Sequence, residues 1–159
     1  MADDVPMLVA LRYGPRGGAV IDRLVAAARA RGLGVVGMVQ KNEERPGRSK
    51  CDMTVVDVTS GREILISESR GEGARGCRLD TGALEEASAL MIAGLEAVPA
   101  PDLLILSKFG KQEIAGRGFR QAVEKAIDLG VPVVVGVAEE SLPGLRDFGG
   151  GLETVVETR

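Results

Sequence analysis

The sequence has 159 residues, a length that predicts one domain over residues 1–159. Hydrophobic residues are 45% of the chain and charged residues 27%, an ordinary globular mixture that needs no staples to hold a core. The chain has no histidine and a net charge of −3, which excludes a Ser-His-Asp triad, a Cys-His pair and any histidine-ligated metal, and leaves no broad basic footprint for nucleic acid.

Residues 6–11 (PMLVAL) are a continuous apolar run ending in RYGPRGG, which predicts a buried strand and a turn. Residues 19–31 (AVIDRLVAAARAR) place Val20, Leu24, Ala27 and Ala28 on one face of a helix closed by Gly32. Residues 33–40 (LGVVGMVQ) predict a second strand, parallel to the first. A charged loop, KNEERPGRSK, follows at 41–50. Residues 51–58 (CDMTVVDV) and 62–69 (REILISES) read as a hairpin around TSG.

Residues 70–80 (RGEGARGCRLD) read as a glycine-rich basic loop. Asp80 or Thr81 then caps a helix running to about Val98, with Glu85 and Glu86 in its first turns. A linker at 99–101 leads to a strand at 102–106 (DLLIL). A helix at 118–129 ends at Gly130, and residues 131–137 (VPVVVGV) read as a strand buried on both faces. Residues 143–151 (PGLRDFGGG) predict one helical turn and a glycine hinge, and LETVVE a short edge strand. The expected fold is α/β: three layers, a mainly parallel sheet, and an antiparallel hairpin inserted near 51–68.

Cys51 and Cys77 form no CxxC, so a structural zinc site is not expected. The acidic N-terminus has only a short apolar run, and no stretch of about 18 apolar residues occurs. The expectation is a cytoplasmic protein with reduced thiols and no membrane span. The aromatic residues are Tyr13, Phe109, Phe119 and Phe148, too few for a base-stacking platform.

Three loops carry candidate chemistry. The first, YGPRGGA, could form a shortened anion cradle from Gly14, Arg16, Gly17 and Gly18 at a helix N-terminus, although it lacks the Gly-Lys-Ser/Thr of a phosphate loop. The alternative is a tight turn with an exposed Arg16. The second, RGEGARGCR, offers Arg75, Gly76, Cys77 and Arg78 before a helix, where arginine forks suit oxyanions and could lower the thiol's pKa. Its alternatives are a solvated loop and an inert cysteine. The third, LSKFGKQE, sets Lys108, Lys111 and Glu113 at the carboxyl end of a core strand, where parallel sheets hold ligands.

LGVVGMVQ, the CDMTVVDV/REILIS pair, RGEGARGCRLD and LLILSKFGKQEIAGRGF together resemble a bacterial family of uncharacterised proteins often labelled molybdenum-transport ATPase-like. The resemblance spans nearly the whole chain. The order of segments also resembles small phosphate-loop nucleoside-triphosphatases, including the thermophilic NTPase family. In these a strand ends DEIGKME. Gly110, Lys111 and Glu113 match that pattern, while Ser107 and Lys108 stand in the places of its paired acids. The resemblance implies a phosphate-loop NTPase type of fold. Phosphoryl transfer there relies on a loop lysine and on Mg²⁺ held by a hydroxyl and an aspartate, and this chain lacks all three at the matching positions.

Three functions follow. One is a degenerate NTPase-like module that binds an oxyanion or a phosphorylated small molecule, with molybdate or a molybdenum-cofactor precursor implied by the family label. Another is a divergent nucleoside-triphosphatase using a nucleotide with Mg²⁺, in which Arg16 replaces the loop lysine, Lys111 contacts phosphate, Glu113 is the catalytic residue that orients water, and Asp52, Asp57 or Glu113 would hold the metal. The last is an adaptor for a transporter or a cofactor-assembly protein, docking through KNEERPGRSK and GGGLETVVETR. An oligomer is compatible with all three.

Overall fold

A computed structural model describes residues 6–13, 17–41, 53–69 and 77–157. Its strands are β1 (Leu8–Arg12), β2 (Val35–Lys41), β3 (Thr54–Asp57), β4 (Glu63–Leu65), β5 (Ser67–Ser69), β6 (Cys77–Leu79), β7 (Leu103–Leu106), β8 (Val133–Val137) and β9 (Glu153–Glu157). Its helices are α1 (Gly17–Ala30), α2 (Thr81–Leu95), α3 (Lys111–Ile114), α4 (Arg120–Asp128) and α5 (Leu142–Gly149).

Seven strands form one sheet in the order β4-β3-β2-β7-β8-β1-β9. The run from β2 to β9 is parallel, and β3 and β4 add an antiparallel extension. This is the expected α/β architecture. The apolar runs of β7 and β8 are buried on both faces because helices cover both. Ile21 and Val25 of α1 pack on Ile105 and Val58 on one face. Leu84 and Met91 of α2, Val123 of α4 and Leu145 of α5 pack on Met38, Leu106 and Val135 on the other. Helix α2 lies so close to the sheet that a Cβ at Gly94 would stand 2.6 Å from Val36 Cγ2.

Asp80 is the α2 N-cap, its carboxylate accepting from the Ala83 N–H at 3.0 Å. The helix ends at Leu95, before the expected Val98, whose side chain is 96% exposed and gains nothing from continuing. Helix α1 starts at Gly17, two residues earlier than the apolar periodicity predicts. Residues 142–149 form two turns of helix rather than one, and β9 is the expected edge strand.

The predicted hairpin needs a correction. Residues 62–69 are not one strand. Only Glu63–Leu65 pairs with β3, while Ser67–Ser69 pairs antiparallel with Cys77–Leu79 in a separate two-stranded sheet. Ile66 is the corner between them. Its N–H donates to the Met53 carbonyl at 2.8 Å, and its carbonyl accepts from the Asp80 N–H at 2.8 Å. The Ser67 hydroxyl accepts from the Met53 N–H at 2.7 Å. Cys77 and Arg78 therefore lie in a strand, not in a loop.

Candidate functional site

Strand β7 stops at Leu106, but its zigzag continues for three residues. The Ser107 N–H donates to the Met38 carbonyl at 3.0 Å, and its hydroxyl accepts from the Gln40 N–H at 2.8 Å. Phe109 donates its N–H to the Gly136 carbonyl at 2.8 Å and buries its ring, 5.0 Å from that of Phe148. Alternation then turns Lys108, between these two anchored residues, out to solvent. Ser107, in the place of an acid in the resembled pattern, is thus a tie between β2 and β7.

Glu113 is 5% exposed, and its carboxylate is committed. Oε1 accepts from the Gly110 N–H at 2.8 Å, reaching back over the first turn of α3 as in a capping box. Oε2 accepts from the Phe119 N–H at 3.1 Å. Burial pushes its pKa above the ordinary carboxylate value, against the opposing pull of these backbone N–H groups and of Lys108. The far side of the loop is closed by Arg120. One guanidinium nitrogen donates to the carbonyls of Glu113 and Ile114, each at 3.3 Å, and the group lies 4.9 Å above the Phe148 ring. Arg117 donates to the Gln112 side chain at 3.3 Å. These groups tie residues 107–120 into a hydrogen-bonded frame from which two lysines stand exposed.

The lysines border a cavity of about 420 Å³ at the carboxyl edge of the sheet, on the α2 face. Lys108, Lys111, Gln112, Gln40 and Glu140 supply its polar groups, and Glu113 stands in its wall. Leu79, the neighbour of Arg78, lines it too. A larger hollow, about 670 Å³, lies across the sheet beside α1, and four of its five charged residues, all but Asp22, are engaged with neighbouring groups. There Arg29 donates to the Val58 carbonyl, Lys41 pairs with Glu63 at 2.6 Å, and Asp57 accepts from the Ser60 hydroxyl at 2.6 Å. The smaller cavity is therefore the candidate site.

Of the residues that sequence reasoning singles out, Lys108, Lys111 and Glu113 come together. Gly14, Arg16, Arg75 and Gly76 lie outside the described residues. Gly17 and Gly18 are the first two residues of α1, after β1, and β8 separates β1 from β7 in the sheet. Cys77 and Arg78 pair in the β5–β6 ribbon with Ser69 and Glu68. Gln40 and Glu140 were missed. Both follow or end core strands, β2 and β8, so the logic that found Lys108 could have found them. Arg12, at the end of β1, was missed as well. It bridges Glu139 at 2.5 Å and Glu157 at 3.2 Å.

Among the described residues, no cluster of three or more acidic or cysteine side chains is placed to hold a metal. Asp57 is held by its own turn, and both oxygens of Glu113 are engaged by backbone N–H groups. Asp52 lies outside the described residues. The residues after Gly18 in the first turn of α1 are Ala19 and Val20, neither lysine nor hydroxyl.

Residues 3–159 match the model of the family described as "Protein of unknown function (DUF2478)". The chain is 36% identical over 120 residues to the molybdenum import ATP-binding protein ModC 2 of Bradyrhizobium diazoefficiens, a match covering 76% of the chain but only 13% of that protein's length. It is 27% identical over 142 residues to the nucleoside-triphosphatase THEP1 of Methanothermobacter thermautotrophicus, covering 88% of the chain and 80% of the relative. Among solved structures, a human cancer-related nucleoside triphosphatase superposes with a TM-score of 0.66 at 19% identity, over 96% of this chain and 88% of that one. THEP1 from Aquifex aeolicus gives 0.65 at 15% identity, over 95% and 88%. The seven-stranded sheet is thus of the phosphate-loop NTPase type, as the sequence resemblance implied, and the chain is similar in sequence to a nucleoside-triphosphatase. No helix among the described residues is long and apolar enough to cross a membrane.

Proposed function

The chain belongs to the DUF2478 family of proteins of unknown function, and we propose that it is an NTPase-like module that binds a phosphorylated small molecule rather than splitting one. The observation that carries this reading is the commitment of Glu113. A general base needs a lone pair facing the water or hydroxyl it will deprotonate. Here each carboxylate oxygen already accepts one backbone N–H of the loop, and the residue is 5% exposed, so little of its remaining lone-pair capacity meets water. The residue spends its charge on organising residues 107–119, and that loop presents Lys108 and Lys111 at the cavity mouth. An ammonium pair on a hydrogen-bonded frame attracts an anionic group without supplying a nucleophile.

The relative named for molybdenum import suggests the setting in which such binding is used. A molybdenum-cofactor precursor would be the ligand there, and a transporter or cofactor-assembly protein the partner. The similar nucleoside-triphosphatase makes ATP or GTP, with Mg²⁺, the other ligand class to test.

The test is a thermal-shift panel with ATP, GTP, molybdate, sulfate and phosphate, each with and without Mg²⁺, alongside phosphate release at micromolar protein. A ligand at 100 times its dissociation constant adds about 2.7 kcal/mol, or roughly 8 °C for a domain of this size. The reading expects a shift with a phosphorylated ligand and no phosphate release above blank. Mg²⁺-dependent turnover that is lost in Glu113→Gln would restore the hydrolase.

A further inference from the structure

The cavity runs along the sheet edge, and its character changes along its length. Its walls come from the ends of β3, β2, β7 and the loop after β8, three inter-strand steps or about 14 Å across. The lysines stand over β7. Toward β3 the lining is wholly apolar: Met38, Met53, Val55, Ile66, Leu79 and Leu84. Three of these, Met53, Ile66 and Leu79, are brought there by the antiparallel extension and its corner. The Ile66 and Ser67 hydrogen bonds to Met53 and Asp80 fold β5 and β6 over this end.

A bare tetrahedral oxyanion has no use for such a surface. It would leave the apolar end filled with water that gains no polar partner. A volume of about 420 Å³ falls in the range of sites for whole small molecules, which combine apolar walls with a few placed polar groups.

We infer that β3 and the β5–β6 ribbon form a specificity wall, and that the ligand carries a flat apolar body, of the nucleobase or related heterocycle class, lying on Met53, Ile66 and Leu79 while its phosphate reaches Lys108 and Lys111. The assignment rests on the proposed binding of a phosphorylated molecule and adds what the non-phosphate part must be. Methionine suits the role, since its polarisable thioether packs well against aromatic rings. Met53 is only partly buried, so it can meet a ligand without leaving the core.

The test compares ATP and GTP with inorganic tripolyphosphate by calorimetry, at one salt concentration and without Mg²⁺. The wall predicts that at least one nucleotide binds tighter than tripolyphosphate by about tenfold or more. Met53→Gln and, separately, Leu79→Gln should narrow that ratio toward one. Melting of the unliganded variants shows whether each has folded, and the two substitutions lie in different segments, one just before β3 and one in β6, so one misfolded variant leaves the other to decide. Equal binding of nucleotide and tripolyphosphate in the wild-type chain overturns the wall but leaves anion binding at the lysines standing. A ratio that persists in both folded variants also overturns it. Absence of binding by every probe removes the wall and the binding module together.

Discussion

Gly118 and Glu113 are locked to each other: a Cβ on Gly118 would stand 2.0 Å from Glu113 Oε2. The glycine has φ +63°, a conformation in which other residues are strained. It turns the chain so that the Phe119 N–H comes back onto the carboxylate at 3.1 Å. Gly118→Ala must therefore bear backbone strain and push the carboxylate off its partner. The two effects should cost on the order of 3 kcal/mol together, a fall of roughly 10 °C in melting temperature. A calorimetric scan that finds Gly118→Ala within about 0.5 kcal/mol of wild type, the usual range for a neutral surface change, would sink the account of this loop.

Glu113 makes a pH prediction. Its folded pKa lies above the unfolded value of 4.5 because burial outweighs its hydrogen bonds. From the ordinary carboxylate range up to the raised pKa, the folded state holds more protons than the unfolded chain. Its contribution to stability is therefore greatest at acid pH, falls as pH rises through that window, and is level above it. Glu113→Gln cannot titrate. The stability of wild type minus that of Glu113→Gln, from denaturant titrations at several pH values, should decline as pH rises. A difference that grows instead would mean that the two N–H groups and Lys108 outweigh burial.

Much of the fold was legible because its strands are short apolar runs bounded by Gly, Pro or charge, as at 102–106 and 131–137. The boundary at Ile66 was not. Residues 62–69 have strand character throughout, and the corner is set by hydrogen bonds to Met53 and Asp80, which no local pattern encodes. The site was half legible. Lys108, Lys111 and Glu113 could be placed by their position after a core strand. The commitment of Glu113 could not, since it depends on an N–H six residues later that only the turn at Gly118 brings back. Glycine and arginine content marked the 70–78 stretch, yet composition alone does not say that Cys77 and Arg78 pair as a strand.

Ser107 stands where the resembled pattern has an acid, and here it has a structural duty. Its half-buried hydroxyl accepts from the Gln40 N–H. Ser107→Ala removes that acceptor at the point where β2 outruns β7, and should cost about 1 kcal/mol. Hydrogen exchange should locate the loss, with the Gln40 amide exchanging faster while those of Val133 to Val137 keep their protection. Unchanged Gln40 protection would show that the hydroxyl does not hold this edge.

Lys108 and Lys111 are both exposed, at the mouth of a cavity whose frame is tied by the hydrogen bonds of Glu113 and Arg120. Replacing both with alanine should leave the melting temperature of the unliganded chain within about 2 °C, the usual size of a surface change. It should abolish the shift caused by the phosphorylated ligand that stabilises the wild type. Each lysine removes one positive charge from an open site, so the wild-type affinity should weaken as salt rises from 0.05 to 0.5 M, approximate working limits over which the screening length falls to a few ångströms. The double variant should show almost no such dependence. Undiminished ligand stabilisation in the double variant would place the anion elsewhere on the sheet edge, with Arg12 at the end of β1 the next cation to change. Loss of both ligand shift and unliganded stability would make the lysines part of the frame, and Lys111→Gln, which keeps most of the side chain's stem without its charge, would then separate the two roles.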